Sequence, residues 1–495
     1  MTEFELKFEI PPARRQAVEA AVRRGRVAQQ RLQARYFDTP EGALAAQGVV
    51  LRLRKEGRQW VQTAKAPGIR PLERLEHNVA LGANAAPVPD LARHSGTPVG
   101  ENIRQALSLK PGEAFPGLAL VYTTDIVRLT RVVRVRGAVV ELALDRGRIA
   151  AGDKSLSVSE LELELKQGQP AGAVALAGNW CLKHGLWLSS VSKSMKGQRL
   201  AAGQDFGAAV SARPPHFPRH ASSRNVAAAV LAACLDQVLA NASDVAGGCT
   251  DEEHIHQLRV GLRRLRTALK ELGALAGGWG DQGDKWEAPL ATVFRELGLH
   301  RDRDYLLHKL QGQIEAAGGP PLDWHDGMGA LPSAAESVRA PAFQQALLGL
   351  VGVVHAASSE AEPENKSPKK ALRKRLARLH KQVLAQGQQF MALLEPEQHA
   401  LRKRLKRLRY LAEFAQPLFS RRKSEAYLTA LKPLQDALGT YHDEVAALRA
   451  WQGLSGHDPR ALFGAGWLSA RREVHVQGCQ QACDSFAGQA RPFWD

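Results

Sequence analysis

The run Glu3-Phe4-Glu5-Leu6-Lys7 places two carboxylates and an ammonium at alternate positions. Alternate side chains of an extended strand share a face, so this triplet points one way while Phe4, Leu6 and Phe8 point the other. A single row of this kind is usually a solvated outer face. Here the row recurs. Glu160, Glu162 and Glu164 form a second acidic row, Glu141 and Asp145 a shorter one, and Arg52 with Arg54 and Thr63 with Lys65 add polar pairs. Glu3, Glu5, Glu162 and Glu164 offer hard oxygen ligands suited to Mg2+ or Mn2+. Arg52, Arg54, Lys65, Arg128 and Lys193 offer the cationic lining that a chain of phosphates requires. Acids alone would point to calcium. Mixed rows point to a metal-bridged phosphate substrate, because the metal satisfies carboxylates and phosphate oxygens together.

The elements that must position these rows are strands. Alternating segments at 3–10, 49–55, 58–65, 73–81, 126–136, 139–145 and 158–166 fill most of the first two hundred residues, with helix expected only after Pro12 and around 170–185. The interleaved Val50, Leu51, Leu53, Leu161, Leu163 and Leu165 would suit a flat sheet covered on one face. They would equally suit a closed barrel whose polar face lines a lumen. Asp38 reads as a turn cap, and Arg134 and Arg136 as a solvated hairpin tip around Gly137.

The chain has 495 residues, which predicts two to four domains, and a formal net charge of +17, which calls for a polyanionic partner. No leader pattern precedes the first strand and no eighteen-residue apolar run occurs, so a soluble, cytoplasmic protein without membrane partners is expected. The five scattered cysteines fit a reducing compartment. His475, Cys479 and Cys483 fall at helical spacing and could share a face, but partly buried helical cysteines are common and no fourth ligand of that type is nearby. A stretch rich in proline and small residues at 204–223 reads as a linker between a strand domain at 1–203 and a helical domain at 224–495.

The helical half repeats itself. HQLRVGLRRLR from His256 aligns with HALRKRLKRLR from His399, and LGLHRDRDYL from Leu297 with LGTYHDEVAAL from Leu438. Two copies, at about 224–355 and 368–495, predict a duplicated helical bundle. At 100° per residue, His256, Arg259, Arg263 and Arg266 lie within an arc of about 80°, opposite a leucine stripe. His399, Arg402, Lys406 and Arg409 repeat the arrangement. One basic stripe is ordinarily a solvated face. Two in matching register could form a groove spaced for a repeating polyanion. Aromatic residues are sparse on these faces, so phosphate polymer fits better than nucleic acid. Asp302 and Asp443 recur at one repeat position, where a salt bridge to the stripe is expected. His300 and His308 read as surface residues.

Residues 1 to about 200 resemble a CYTH domain of the triphosphate tunnel metalloenzyme superfamily. The resemblance is carried by EFELKF at Glu3, RYFDTPEGALAAQGVVLRLR from Arg35, QTAKAPG with Lys65, LEHNVAL with Glu76, TTDIVR with Arg128, VELALDRG, SELELEL and SVSKSMKG with Lys193. It implies an eight-stranded antiparallel β tunnel, in an α+β domain, that cleaves inorganic triphosphate to pyrophosphate and phosphate. Glu3, Glu5, Glu162 and Glu164 would hold Mg2+ or Mn2+, and these with Lys7 would be catalytic. Lys7, Arg52, Arg54, Lys65, Arg128 and Lys193 would clamp phosphates, with Glu76, Glu141, Asp145 and Glu160 as further tunnel residues. One metal would bridge the phosphates and a second would position the water. The helical half is similar to a CHAD domain, a family associated with inorganic polyphosphate. By that resemblance His256, Arg259, Arg263, Arg264, His399, Arg402, Lys406 and Arg407 are polyphosphate-binding candidates, His380 a weaker one, and association with polyphosphate granules is expected. Two alternatives stand beside this reading: a polyphosphate-binding adaptor without turnover, and an enzyme acting as phosphohydrolase or cyclase on an organic triphosphate, for which Trp60 is the one obvious aromatic platform in the strands.

Overall fold

Eight strands with charged residues on alternate positions close into an antiparallel barrel in the computed structural model. They are β1 Thr2–Glu9, β2 Ala28–Asp38, β3 Val50–Glu56, β4 Gln59–Pro67, β5 Glu73–Gly82, β6 Ala119–Val135, β7 Ala138–Ala151 and β8 Lys154–Gly168. The order is β5-β4-β3-β2-β6-β7-β8-β1, and β1 pairs with both β8 and β5, which removes the sheet edges. A ninth strand, β9 Trp187–Leu188, pairs with the end of β1. The structure describes residues 2–68, 73–83, 87–110, 112–135, 137–218, 220–275, 280–322, 324, 331–356 and 367–494.

The apolar halves of the strands face outward and are covered by helices. The helices before the linker stretch are α1 Arg15–Val22, α2 Ala43–Ala46, α3 Pro98–Ala106, α4 Pro170–His184 and α5 Lys193–Ala202. α4 packs on β7 and β8, and Leu142, Leu144, Leu161 and Leu163 are fully buried on the outward face of those strands. α2 and α3 cover β3 and β4 through a cluster of Leu44, Leu51, Ala64, Val99 and Ile103.

The inward face is polar over most of the barrel and apolar at one end. Leu32, Tyr36, Tyr122, Ile126, Ile149 and Val158 fill that end, with Leu200 of α5 against them. α5 contacts β6, β7 and β8. Gly197 lets it approach: a Cβ there would lie 2.3 Å from the Tyr122 ring. Ser192 caps the helix by accepting from the Met195 amide, and Gly203 ends it at φ +69°.

Several expectations need correction. β2, with few β-branched residues, was not expected as a strand; its ladders to β3 and β6 impose the conformation. β6 begins at Ala119 rather than near 126, and α3 and α5 lie where no helix was expected. Both are short, so tertiary packing rather than propensity decides them.

Among the described residues ten α-helices follow: α6 Ser223–Gly247, α7 Glu252–Leu272, α8 Gly280–Asp304, α9 Gln311–Ala316, α10 Ala334–Arg339, α11 Pro341–Ala356, α12 Pro368–Gly387, α13 Glu395–Ala415, α14 Arg421–Leu454 and α15 Ala461–Gln489. The duplicated motifs fall on equivalent helices: the histidine-headed stripes on α7 and α13, the Leu-Gly motifs on α8 and α14. α6 is long and apolar enough to cross a membrane, but 78% of its most apolar window is buried inside the protein. Residues 204–218 and 220–222 have no regular structure, and Val210 is held there by two hydrogen bonds with Asn241.

Compactness divides the chain into two interleaved units. One comprises Met1–Ser211, Leu235–Leu258 and Val338–Glu360; the other Ala212–Cys234, Arg259–Ser337 and Ala361–Asp495. The barrel unit thus includes helical segments that lie beyond the linker stretch in sequence.

Candidate active site

Strand register decides which charged rows meet. Directly opposed residues share a face, so Arg128, Asp145, Glu160 and Glu9 form one transverse row across β6, β7, β8 and β1. Glu162 opposes Lys7 in the next row, and Glu141, Glu164 and Glu5 form a third. Lys65 opposes Glu76 on the far side of the barrel.

Cations fill the centre. Lys193, the first residue of α5, reaches Asp145 and Glu162 at 2.6 Å and also pairs with Glu160. Arg128 forks onto Asp145 at 2.7 and 2.6 Å and also bonds Glu162. Lys196, one turn further along α5, meets Glu9 at 2.5 Å and Glu160 at 3.0 Å. Lys7 differs: its ammonium is buried with no hydrogen-bond partner among the described residues.

Titration follows from this crowding. Burial pushes the Glu160 carboxyl up, but Lys193, Lys196 and Lys7 outweigh it and hold the group at about 2. Burial is likewise overcome at Glu162, where Lys193 and Arg128 keep the carboxyl well below its ordinary range. Lys193 and Arg128 stay charged: burial opposes this, and the surrounding carboxylates prevail. Glu5 goes the other way, to about 7, through burial and the neighbouring charge of Glu162. Burial also pulls Lys7 down to about 8.

These residues fit a divalent metal. Asp145, Glu160 and Glu162 bring oxygens within 4.8 Å of one another in a buried setting, and hard carboxylate oxygens are what Mg2+ and Mn2+ prefer. Among the described residues this is the one such group found.

The helical region holds a second concentration of charge. Arg301 of α8 donates to Asp443 of α14 at 2.8 Å, and Arg402 of α13 approaches the same carboxylate at 3.5 Å. Arg259 and Arg263 of α7 both lie 4.9 Å from the Phe294 ring centre. His399 and His442 face each other, Nδ1 to Nδ1 at 3.3 Å. Burial, with help from neighbouring cations, pulls Arg259 and Arg402 down to about 10, Lys406 to about 6 and His442 to about 4. In this half-buried place cations outnumber the two aspartates, Asp302 and Asp443, that face them.

Comparison with known proteins now decides the family. A family model of the CYTH domain matches residues 1–197, and one of the CHAD domain matches residues 229–452. The chain carries a CYTH domain followed by a CHAD domain. A protein from Haemophilus influenzae described as an inorganic triphosphatase is 29% identical over 172 residues, which are 34% of this chain and 46% of that protein. The chain thus matches about half the length of that relative. The crystal structure of the CHAD domain from the plant Ricinus communis is 25% identical, at a TM-score of 0.46, covering 56% of this chain and 96% of that one. A Hippeastrum protein described as having a dominant triphosphatase activity is 17% identical at a TM-score of 0.29, covering 41% and 96%.

Within the CYTH domain, the structure brings together Glu5, Lys7, Arg128, Glu162 and Lys193 of the expected site, with Asp145 and Glu160 beside them. The Glu3 side chain lies outside the described residues. Glu164 pairs with Lys166 at 2.6 Å. Arg52 lines the face shared with Tyr36 and Thr63, Lys65 pairs with Glu76, and Arg54 pairs with Glu56. Trp60 opposes Lys55 on the outer face and stacks with Arg35, at 5.8 Å, so it does not line the lumen. Asp38 caps α2, accepting from the Leu44 and Ala45 amides at 2.9 Å. Sequence reading missed Lys196; its signal was the three-residue spacing from Lys193, which puts both on one helix face.

Within the CHAD domain, Arg259, Arg263, Arg402 and Lys406 gather with Asp443, and His399 beside His442. Arg264 is buried against Glu413, and Arg407 lies 3.6 Å from the buried Glu271, so both serve ion pairs inside the bundle. His256 is exposed on α7. His380 bonds the Tyr427 hydroxyl at 2.9 Å within an aromatic cluster. His475 pairs with Glu444 at 2.9 Å, and Cys479 and Cys483 are buried, their thiols pushed to about 12 by burial. Phe294 under its arginines was not foreseen, since it lies far from both basic motifs in sequence. The His308 side chain and Arg136 lie outside the described residues.

Proposed function

We propose that the CYTH domain hydrolyses inorganic triphosphate to pyrophosphate and phosphate with Mg2+ or Mn2+, and that the CHAD domain binds inorganic polyphosphate. The observation that carries the first half is the buried Lys7 ammonium, without a hydrogen-bond partner among the described residues, facing a lumen of paired carboxylates and cations. A buried cation without a partner is costly unless a ligand supplies one, and a phosphate oxygen does so. Lys7, Arg52, Arg128 and Lys193 would hold and orient the phosphates, while Glu5, Glu162, Glu160 and Asp145 would hold the metal. When bound, the metal neutralises phosphate charge and acidifies the attacking water. Water forms a bond to a terminal phosphorus, the bridging P–O bond breaks, and pyrophosphate leaves. The closed end, where Tyr36 and Tyr122 stack at 4.4 Å against α5, keeps bulk water from that side. The name of the Haemophilus relative supports this reading. So does the outward position of Trp60, which leaves an organic triphosphate without the platform expected for it.

The test is phosphate release from tripolyphosphate with Mg2+ or Mn2+, beside ATP, thiamine triphosphate and a chelator control. Metal-dependent release from tripolyphosphate is expected; tight triphosphate binding without release would mean an adaptor. For the CHAD domain, the desolvated surplus of cations around Asp443 supports a polyphosphate site. Long-chain polyphosphate should bind the full chain and resist competition by RNA. In cells, a cytoplasmic distribution that follows polyphosphate granules is expected.

A further inference from the structure

α5 carries two of the cations in the tunnel, yet it has only ten residues, too few to hold a helix in place without tertiary contacts. On the tunnel side it is held by Lys193, Lys196 and the close approach of Gly197 to Tyr122. On another side α5 and the residues just before it are tied to one stretch of α6. The Arg199 guanidinium forks onto Asp244, Nη1 to Oδ1 at 2.7 Å and Nη2 to Oδ2 at 2.9 Å. Just before α5, the Ser190 amide donates to Ser243 Oγ at 2.8 Å, and Ser190 Oγ donates to the Leu239 carbonyl at 3.2 Å. His254 lies beside Asp244 without bonding it: its Nε2 is 3.6 Å away, while its Nδ1 is 2.7 Å from Asp251. All of these residues belong to the barrel's compact unit. Asp244 nevertheless lies outside the residues matched as CYTH and inside those matched as CHAD.

We propose that Asp244, acting through Arg199, is a positioning residue for the tunnel chemistry: it fixes α5 at the depth where Lys193 and Lys196 meet the carboxylates. The pair is buried, with side chains 14% and 6% exposed. Removing one partner therefore leaves an uncompensated charge, unlike an exposed ion pair that contributes little. Misplacing a catalytic group by about 1 Å costs on the order of 10²-fold in rate. The inference rests on the triphosphatase reading for its activity readout and on structure alone for its second.

The experiment compares wild type, Asp244→Asn and Asp244→Glu in the full chain, by phosphate release from tripolyphosphate and by amide exchange across residues 193–202. Asp244→Asn should lower kcat on the order of ten- to a hundredfold and raise exchange in 193–202, with Asp244→Glu recovering most of both. Wild-type kcat and unchanged exchange in Asp244→Asn would overturn the proposal. So would exchange raised evenly over the whole chain, which marks general destabilisation. If the wild type releases no phosphate, the triphosphatase reading fails, while selective exchange in 193–202 still decides whether Asp244 holds α5.

Discussion

Replacing Lys406 with Met should stabilise the helical region while weakening its hold on polyanions. Lys406 is half-buried on α13, and burial, then Arg263 and Arg402, pull its ammonium down to about 6, with Asp443 opposing. In the unfolded chain a lysine titrates near 10.4. Between the two values the unfolded state binds a proton that the folded state must release. Stability is therefore lost as pH falls from about 10 towards 6, and the loss is constant below that. At 1.36 kcal/mol per pKa unit the penalty has a ceiling of about 6 kcal/mol. Reorientation of the flexible side chain and screening ions should reduce this to about 1–3 kcal/mol. With each kcal/mol worth about 2–4 °C in a large domain, Lys406→Met should melt about 2–12 °C higher. Differential scanning calorimetry between pH 6.5 and 9 should show the advantage shrinking as pH rises. Long-chain polyphosphate should bind the variant about tenfold more weakly, the loss of about 1.4 kcal/mol. A variant that melts lower than wild type, or whose advantage does not change with pH, would refute the claim that Lys406 is desolvated among like charges.

Three further outcomes follow from the tunnel. Lys7→Met should cost turnover on the order of 10²-fold, as loss of a transition-state contact does, yet leave urea denaturation unchanged or improved, because the ammonium is buried without a hydrogen-bond partner among the described residues. Glu162→Gln should abolish metal-dependent phosphate release and destabilise the barrel by about 3–5 kcal/mol in the same denaturation assay, since Arg128 and Lys193 both lose a charged partner. Trp60→Ala should leave the ratio of tripolyphosphate to ATP turnover within about twofold, the range of a surface change, because its ring stacks on Arg35 outside the lumen; a large shift would restore the organic-substrate reading.

The barrel and the duplicated bundle were legible because both write a period into the chain. Alternating charge at Glu3-Glu5-Lys7 and Glu160-Glu162-Glu164 marks a shared face, and the repeated His-x-Leu-Arg helices mark a copy. Period alone does not give register. That is why Asp145 and Glu160 read as secondary residues, although cross-strand pairing and Lys193 bring them to the centre. Nor does it say which side of a strand is inside, so Trp60 read as a platform for an organic triphosphate. On the helices, the stripe predicted a basic face but not what covers it. Arg264 and Arg407 lie on the same turns as Arg263 and Lys406, yet they serve ion pairs within the bundle. α5 left the weakest trace, being short, polar and placed by contacts with β6, β7 and β8.

The seam between β1 and β5 has a kinetic meaning. Among the described residues three pairs, from Thr2 opposite Leu75 to Phe4 opposite Glu73, complete the ring, and the same strand must also find β8, whose partners lie far along the chain. Such distant pairing is slow to form, and so short a ladder is the place where local opening costs least. The first stave is thus the last to be fitted. Because it brings Glu5 and Lys7, the carboxylates and cations of β6 to β8 can be fully folded and still inert. Turnover in a refolding experiment should therefore lag behind strand formation, making catalysis itself the indicator that the ring has closed.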